Sequence, residues 1–192
     1  MEKKMIEKQF IHNIIDEYQL LLKNDEIIDK IIKVKDLLIR QNNKGNKVIF
    51  AGNGASAAIA SHCALDFTKQ AKIRSICFND SAFITAFPND FGYENWVEKA
   101  ISFHGEKGDI SILISSSGSS PNIVNAAKYA KDNGIPVISF SGFEENNPLN
   151  QLGDVNFWVP SQAYNIIENI HQIWLLMICD LIIGKTEYSV NK

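Results

Sequence analysis

Two apolar segments of this 192-residue chain each end in a turn of small residues, and each turn leads into a helical pattern. The first segment covers residues 47–51 and its turn residues 52–58; the second covers residues 110–115 and its turn residues 115–122. A helix N-terminus carries unpaired N–H groups and the positive end of the helix dipole, so it favours an anion. The two junctions together predict a phosphate site in an α/β domain.

The rest of the chain alternates between β-type and helical segments. Strands are predicted at 47–51, 74–78, 109–115, 136–140 and 155–159, and helices at 56–69, 94–103, 121–133 and 165–183. Such alternation is typical of a parallel sheet covered by helices on both faces. We therefore expect an α/β, flavodoxin-like three-layer fold with a central five-stranded parallel sheet. Ligands of such sheets bind at the carboxyl ends of the strands, where both turns lie.

Two amphipathic helices are predicted before the first strand. Their apolar residues recur at helical spacing, as Ile6, Phe10, Ile14, Tyr18 and Leu22 and then as Ile27, Ile31, Val34 and Leu38. We expect one domain over residues 1–192, with a helical hairpin at 1–44 and the α/β core at 45–192. The second stripe is wider than one sheet face requires. It packs either on its own domain or, as we expect, at a subunit interface.

Composition excludes several classes of protein. A net charge of −3 and a pI near 5.8 argue against nucleic acid or an anionic membrane as the main partner. The charged N-terminus is unlike a signal peptide, and no uninterrupted apolar run approaches membrane-spanning length. We expect a cytoplasmic protein whose three cysteines are free thiols.

The motifs in the two turns resemble those of the sugar isomerase (SIS) domain proteins, and within them the phosphoheptose isomerase group. The family's G-N-G-G-S-A-A turn is similar to residues 52–58, with Ala55 in place of a glycine, and its N-D-F/Y-G motif is present at 89–92. Its S-T-S-G-N-S-x-N phosphate loop is similar to residues 115–122. The resemblance implies phosphate contacts from Ser115, Ser116, Ser117 and Ser120, and a sugar pocket formed by Asn53, Gly54, Ala55, Ser56, Asn89 and Asp90.

The resemblance also implies a metal site, but this chain departs from the family there. The family's H-x-x-x-E motif corresponds to His62 and Asp66, in which the carboxylate side chain is one methylene shorter. On the last helix, Glu168 stands at a family glutamine, and Leu176 stands at a histidine that ligates zinc and transfers protons. Leucine can do neither.

Spacing on the two helices suggests a substitute site. His62 and Asp66 are four residues apart, and Glu168 and His171 are three apart, so each pair shares a helix face. If the helices meet, these four side chains converge as ligands for Zn²⁺ or another divalent metal. Asp66 or Glu168 would then act as the catalytic acid–base group.

The expected function is a ketose–aldose isomerase of a phosphorylated sugar such as sedoheptulose 7-phosphate, in heptose synthesis for a bacterial surface polysaccharide. The family resemblance implies a homotetramer, in which a neighbouring subunit can supply the group that Leu176 lacks. A second hypothesis is a non-catalytic member, either a phosphosugar sensor or a tetrameric scaffold similar to the family's initiator-associating protein. Leu176 and Asp66 favour that alternative, whereas His62 and the serine loop favour the enzyme.

Overall fold

A computed structural model describes residues 2–186 and confirms the predicted three-layer α/β fold. Five parallel strands form one sheet in the order β2-β1-β3-β4-β5. The elements in chain order are α1 (Glu2–Leu22), α2 (Asp25–Asn42), β1 (Val48–Gly52), α3 (Ala55–Lys69), β2 (Ser75–Cys77), α4 (Ser81–Phe91), α5 (Trp96–His104), β3 (Ile110–Ser115), α6 (Pro121–Asp132), β4 (Val137–Ser141), α7 (Pro148–Leu152), β5 (Val155–Trp158) and α8 (Tyr164–Ile183).

The core lies in two apolar layers, one on each face of the sheet. Every residue of β1, β3 and β4 is buried, as expected of central parallel strands. Helices α1, α2, α3 and α8 cover one face. Helices α4 to α7 cover the other. This arrangement places α3 beside α8, which is the contact that builds the candidate site.

Two helices lie where the sequence predicted none. Helix α4 has no buried residue. It also contains Pro88, which interrupts the helical spacing of its apolar residues. The family motif at 89–92 ends this helix: Asn89 and Asp90 belong to its last turn, and Gly92 is its C-cap. The second missed helix, α7, is a single short segment of five residues.

The N-terminal half of α1 leaves its apolar side chains exposed. Met5, Ile6, Phe10, Ile11 and Ile15 have exposed fractions between 44% and 67%. In the rest of α1 only one side packs against the core, through Ile14, Tyr18 and Leu22, whereas Leu20 is exposed. On α2, the outer residues Ile28 and Ile32 of the wide stripe are also exposed, whereas Ile27 and Ile31 are buried.

The last helix is long and apolar, although polar and charged residues such as Glu168 and Asp180 interrupt its apolar run. Helix α8 has 20 residues and a mean hydropathy of 1.6, which suffice to cross a membrane by length and composition. One side of the helix, however, lies against the sheet: Ile167, Ile170, Trp174 and Ile178 are all at most 1% exposed. The hydropathy of α8 is thus that of a helix packed in the core.

Candidate active site between the first turn, the serine loop and α8

The first turn packs closely against the start of α3. A β-carbon on Gly52 would lie 2.7 Å from the backbone of Ser56, so only glycine fits where β1 meets the helix. Ser56 is buried, whereas Gly54 and Ala55 are exposed at the helix N-terminus. No side chain caps this end of α3. The structure thereby leaves the N-terminus of α3 open at the carboxyl edge of the sheet.

The serine loop, residues 115–120, joins the end of β3 to the start of α6. Ser115 Oγ donates to Ser120 Oγ at 3.1 Å, and the Ser119 amide donates to Ser117 Oγ at 3.2 Å. Ser116 is 6% exposed, and its Oγ has no hydrogen-bond partner among the described residues. Ser120 is the N-cap of α6, and Pro121 occupies the first turn of that helix. The predicted hydroxyls therefore gather at the positive end of α6.

A pair of amides connects the first turn to the serine loop. Asn53 Nδ2 donates to Asn122 Oδ1 at 2.9 Å, and Asn122 Nδ2 donates to Asn53 Oδ1 at 2.8 Å. Tyr93 Oη also donates to Asn53 Oδ1, at 3.2 Å. Asn122 is 1% exposed. Both polar atoms of the Asn53 amide are thus bonded to protein groups, and these bonds tie the first turn to the start of α6.

On α3, His62 is bound at both ring nitrogens. Its Nε2 lies 3.1 Å from Asp66 Oδ2, and its Nδ1 lies 3.0 Å from Gln172 Nε2 on α8. A side-chain amide nitrogen only donates, so this orientation of Gln172 makes Nδ1 the acceptor and Nε2 the donor to Asp66. His62 is about half exposed, whereas the Asp66 side chain is 19% exposed. The two partners hold the ring in one orientation.

An open pocket of about 360 Å³ lies beside His62. Its walls come from the first two turns of α3 and from the N-terminal part of α8. The residues that line it are Ala55, Ala58, Ile59, His62, Glu168, Asn169 and Gln172. Glu168 has no cationic partner within 4 Å in the part of the chain that the structure describes. The predicted pair His62 and Glu168 therefore does line one pocket.

His171 does not join these residues, and the expected four-ligand cluster is not formed. Its side chain is fully buried and lies on the core side of α8, where Nε2 donates to Ser141 O at 3.0 Å. Its ring packs against Phe140 and Trp174. Burial lowers the pKa of His171 to about 4, because the core disfavours the charged ring. His171 is therefore a neutral core residue in this structure.

The donors present do not complete a metal site within one chain. Residues 2–186 contain no group of three or more His, Cys, Asp or Glu side chains placed to hold a metal ion. A catalytic zinc site needs three protein ligands and an open position. His62 and Asp66 supply two donors that already contact each other, and Leu176 supplies none. Leu176 instead lines a neighbouring apolar pocket with Tyr18 and Ile173.

Asn89 and Asp90 are exposed at the end of α4, where Asn89 Nδ2 donates to Asp90 Oδ1 at 2.9 Å. The residue of this segment that reaches the first turn is Tyr93. Tyr93, Asn122 and Gln172 were not among the predicted site residues. The spacing of Gln172, four residues after Glu168, was the available signal, because residues four apart share a helix face.

Comparison with known proteins agrees with this architecture. A family model described as the SIS domain matches residues 9–142, more than half of the chain. The chain belongs to the SIS domain family. Within the family it is similar to the phosphoheptose isomerase of Aliarcobacter butzleri, with 33% identity over 84% of this chain and 92% of that protein. It is also similar to phosphoheptose isomerase 2 of Campylobacter jejuni, with 35% identity over 92% of this chain and 90% of that protein.

A solved relative has the same SIS domain architecture over nearly the whole chain. The phosphoheptose isomerase GmhA from Neisseria gonorrhoeae is 26% identical and superposes with a TM-score of 0.85, covering 96% of this chain and 100% of that one. The match includes the N-terminal helices as well as the sheet. The resemblance stated from the turn motifs is thereby confirmed at the level of the family.

Proposed function

We propose that this SIS domain protein is a ketose–aldose isomerase that acts on a phosphorylated sugar of the sedoheptulose 7-phosphate type. The observation that carries the proposal is the serine loop, which gathers hydroxyl groups at the N-terminus of α6. Asn122 at the start of α6 bonds Asn53 of the first turn, and Ala55 of that turn lines the open pocket that contains His62 and Glu168. Relatives at 32% to 35% identity are phosphoheptose isomerases. A phosphate anchor beside acid–base groups is what such a reaction needs.

The phosphate would bind at the serine loop, with Ser115, Ser116, Ser117 and Ser120 as its donors. Ser116 Oγ supports this role because a buried hydroxyl without a protein partner is free to donate to a ligand. The exposed start of α3, at Gly54 and Ala55, would lie against the sugar. Asn53, Ser56, Asn89 and Asp90 complete the proposed pocket, with Asn53 acting through its pairing with Asn122.

Isomerisation requires a base that removes a proton from the carbon beside the carbonyl and returns it to the neighbouring carbon. Glu168 lines the pocket and we assign it this proton transfer. Asp66 holds His62, whose ring faces the same pocket. No step is assigned to a metal, because His62 and Asp66 need a further donor from outside the described residues, for example from a neighbouring subunit.

We further propose that the protein works in the cytoplasm as a homotetramer. The exposed apolar half of α1, with Ile6 and Phe10, supports assembly because soluble monomers seldom expose such a contiguous apolar face. Ile28 and Ile32 on α2 present a second exposed apolar strip.

The phosphate role is tested by binding measurements on loop variants. Sedoheptulose 7-phosphate is titrated into wild-type protein and into the S117A/S120A double variant by calorimetry. Ser119→Ala is the matched control, since its hydroxyl donates to Ser117 O and is not a proposed ligand. The double variant should bind at least about tenfold more weakly, because hydrogen bonds to a charged group are strong. Equal affinity of the double variant and the control would contradict the proposal.

A second candidate function is a phosphosugar-binding protein without catalysis, or a tetrameric scaffold. Leu176 favours it, because the family's zinc-ligating histidine is missing and the described residues of one chain do not replace it. Glu168→Gln separates the two candidates. An isomerase should lose product formation in this variant and keep sugar-phosphate affinity, whereas a sensor forms no product with or without the substitution.

A further inference from the structure

Asn147 lies directly behind the serine loop and is 4% exposed. Its Nδ2 donates to Glu144 O at 2.7 Å, to Ser141 Oγ at 3.1 Å and to Gly142 O at 3.2 Å. Its Oδ1 accepts from the Asn150 amide at 2.8 Å and so caps α7. A side chain with this many buried bonds has one allowed position, because moving it leaves several buried polar groups unpaired.

The serine loop rests on that fixed side chain at Gly118. Gly118 adopts φ +63°, and a β-carbon there would lie 1.9 Å from Asn147 Oδ1 and 2.1 Å from its Cγ. Glycine is therefore required both by the left-handed backbone and by the contact. The Gly118 amide donates to Ser115 O at 2.8 Å, which closes the turn in the middle of the loop.

Two backbone hydrogen bonds attach the serine loop to the segment that runs from the end of β4 to α7. Leu149 N donates to Gly118 O at 2.9 Å, and Gly142 N donates to Ser116 O at 2.9 Å. Asn147 stands between these two attachments and bonds the chain on both sides of itself, at Gly142 O and at the Asn150 amide. The segment from β4 to α7 is thus a support on which the loop lies.

We infer that Asn147 is a positioning residue for the phosphate anchor: it fixes the serine loop through Gly118 without touching the ligand. This inference rests on the proposed function of that loop. Loops that bind anions through several hydroxyl and amide groups depend on exact placement, because each donor must point at the same small group. Loss of Asn147 should then weaken phosphate binding although every serine is kept.

The test compares Asn147→Ala with Asn150→Ala. Asn150 lies three residues further along the chain, in the short helix α7, and its side chain donates to Glu145 O rather than to the serine loop. Hydrogen exchange of the Gly118 amide is measured by NMR in the wild type and both variants, at a temperature well below each melting point. Sedoheptulose 7-phosphate affinity is measured on the same samples by calorimetry.

We expect Gly118 to exchange about tenfold faster and the sugar phosphate to bind about tenfold more weakly in N147A, with changes below about twofold in N150A. A folded N147A with wild-type exchange or wild-type affinity would overturn the inference. A purely structural role would lower the melting point of N147A and leave affinity unchanged. If wild-type protein binds no sugar phosphate, the proposed function fails, and Gly118 exchange still reports separately whether Asn147 holds the loop.

Discussion

Replacement of His171 by glutamine should remove a specific part of the protein's pH dependence. His171 is fully buried against Phe140 and Trp174, and its pKa is lowered to about 4 from 6.5 by burial. Between pH 6.5 and about pH 4, the His171 side chain binds a proton in the unfolded chain but stays neutral in the folded protein. The free energy of unfolding therefore falls as the pH drops through that window. Above pH 6.5 His171 does not lower the free energy of unfolding.

The magnitude follows from the two pKa values. Between pH 7 and pH 5, the proton on the unfolded chain favours unfolding by about 2 kcal/mol, and the full effect below pH 4 is about 3 kcal/mol. Other groups titrate in the same range, so the useful quantity is the difference between wild type and H171Q. Glutamine does not titrate and retains a donor for Ser141 O.

Urea denaturation of wild type, H171Q and the surface control His12→Gln at pH 7 and pH 5 measures this difference, at one fixed protein concentration. The stability loss from pH 7 to pH 5 should be about 2 kcal/mol smaller in H171Q than in wild type, and unchanged in H12Q. Equal pH dependence in wild type and H171Q would refute the conclusion that His171 is a neutral core residue.

Two further predictions concern the scaffold. Asp109 is fully buried and accepts hydrogen bonds from the Lys47 amide, the Lys47 ammonium and the Glu106 amide. Asp109→Ala should lower the free energy of unfolding by about 3 kcal/mol in urea titrations, because it leaves these donors unpaired, and a loss below about 1 kcal/mol would be inconsistent with that. Phe10→Glu should reduce the assembly size in sedimentation velocity by placing a charge in an apolar contact, whereas the control Lys8→Glu should not. An unchanged assembly in F10E would exclude this face as the interface.

The sheet and its two functional turns were predictable because their signals are local. A β-branched run followed by small residues and a helical pattern, as in 110–122, specifies strand, turn and helix within one short stretch. The pair His62 and Asp66 was likewise predictable, because their four-residue spacing alone puts both on one helix face. No long-range information is needed for either.

The rotation of α8 about its axis was not predictable in this way. Glu168 and His171 are three residues apart, so both fall on one broad face, yet the boundary between pocket and core passes between them. Which of the two faces α3 depends on how Trp174 and its neighbours pack on the sheet. Gln172 reaches His62 for the same reason, and helical spacing by itself could not choose it over His171.

Helix α4 was not predicted from the sequence, for a different reason. Phe83, Phe87 and Phe91 recur at four-residue spacing, which is a helical signal, and their rings do pack successively along the helix. Pro88 interrupts the usual hydrogen-bond pattern and none of the helix residues is buried. Pro88 therefore interrupts the helical spacing of apolar residues from which the other helices were predicted.

The central claim is that this SIS domain protein isomerises a sugar phosphate. Its most direct test is to incubate the protein with sedoheptulose 7-phosphate in deuterated water, with and without added divalent metal, and to follow aldose formation and deuterium incorporation by NMR. We expect aldose phosphate with deuterium at the carbon beside the carbonyl, and we expect Glu168→Gln to reduce both the product and its deuterium content. Sugar-phosphate binding with neither product nor deuterium under either condition would contradict the central claim and favour a binding protein.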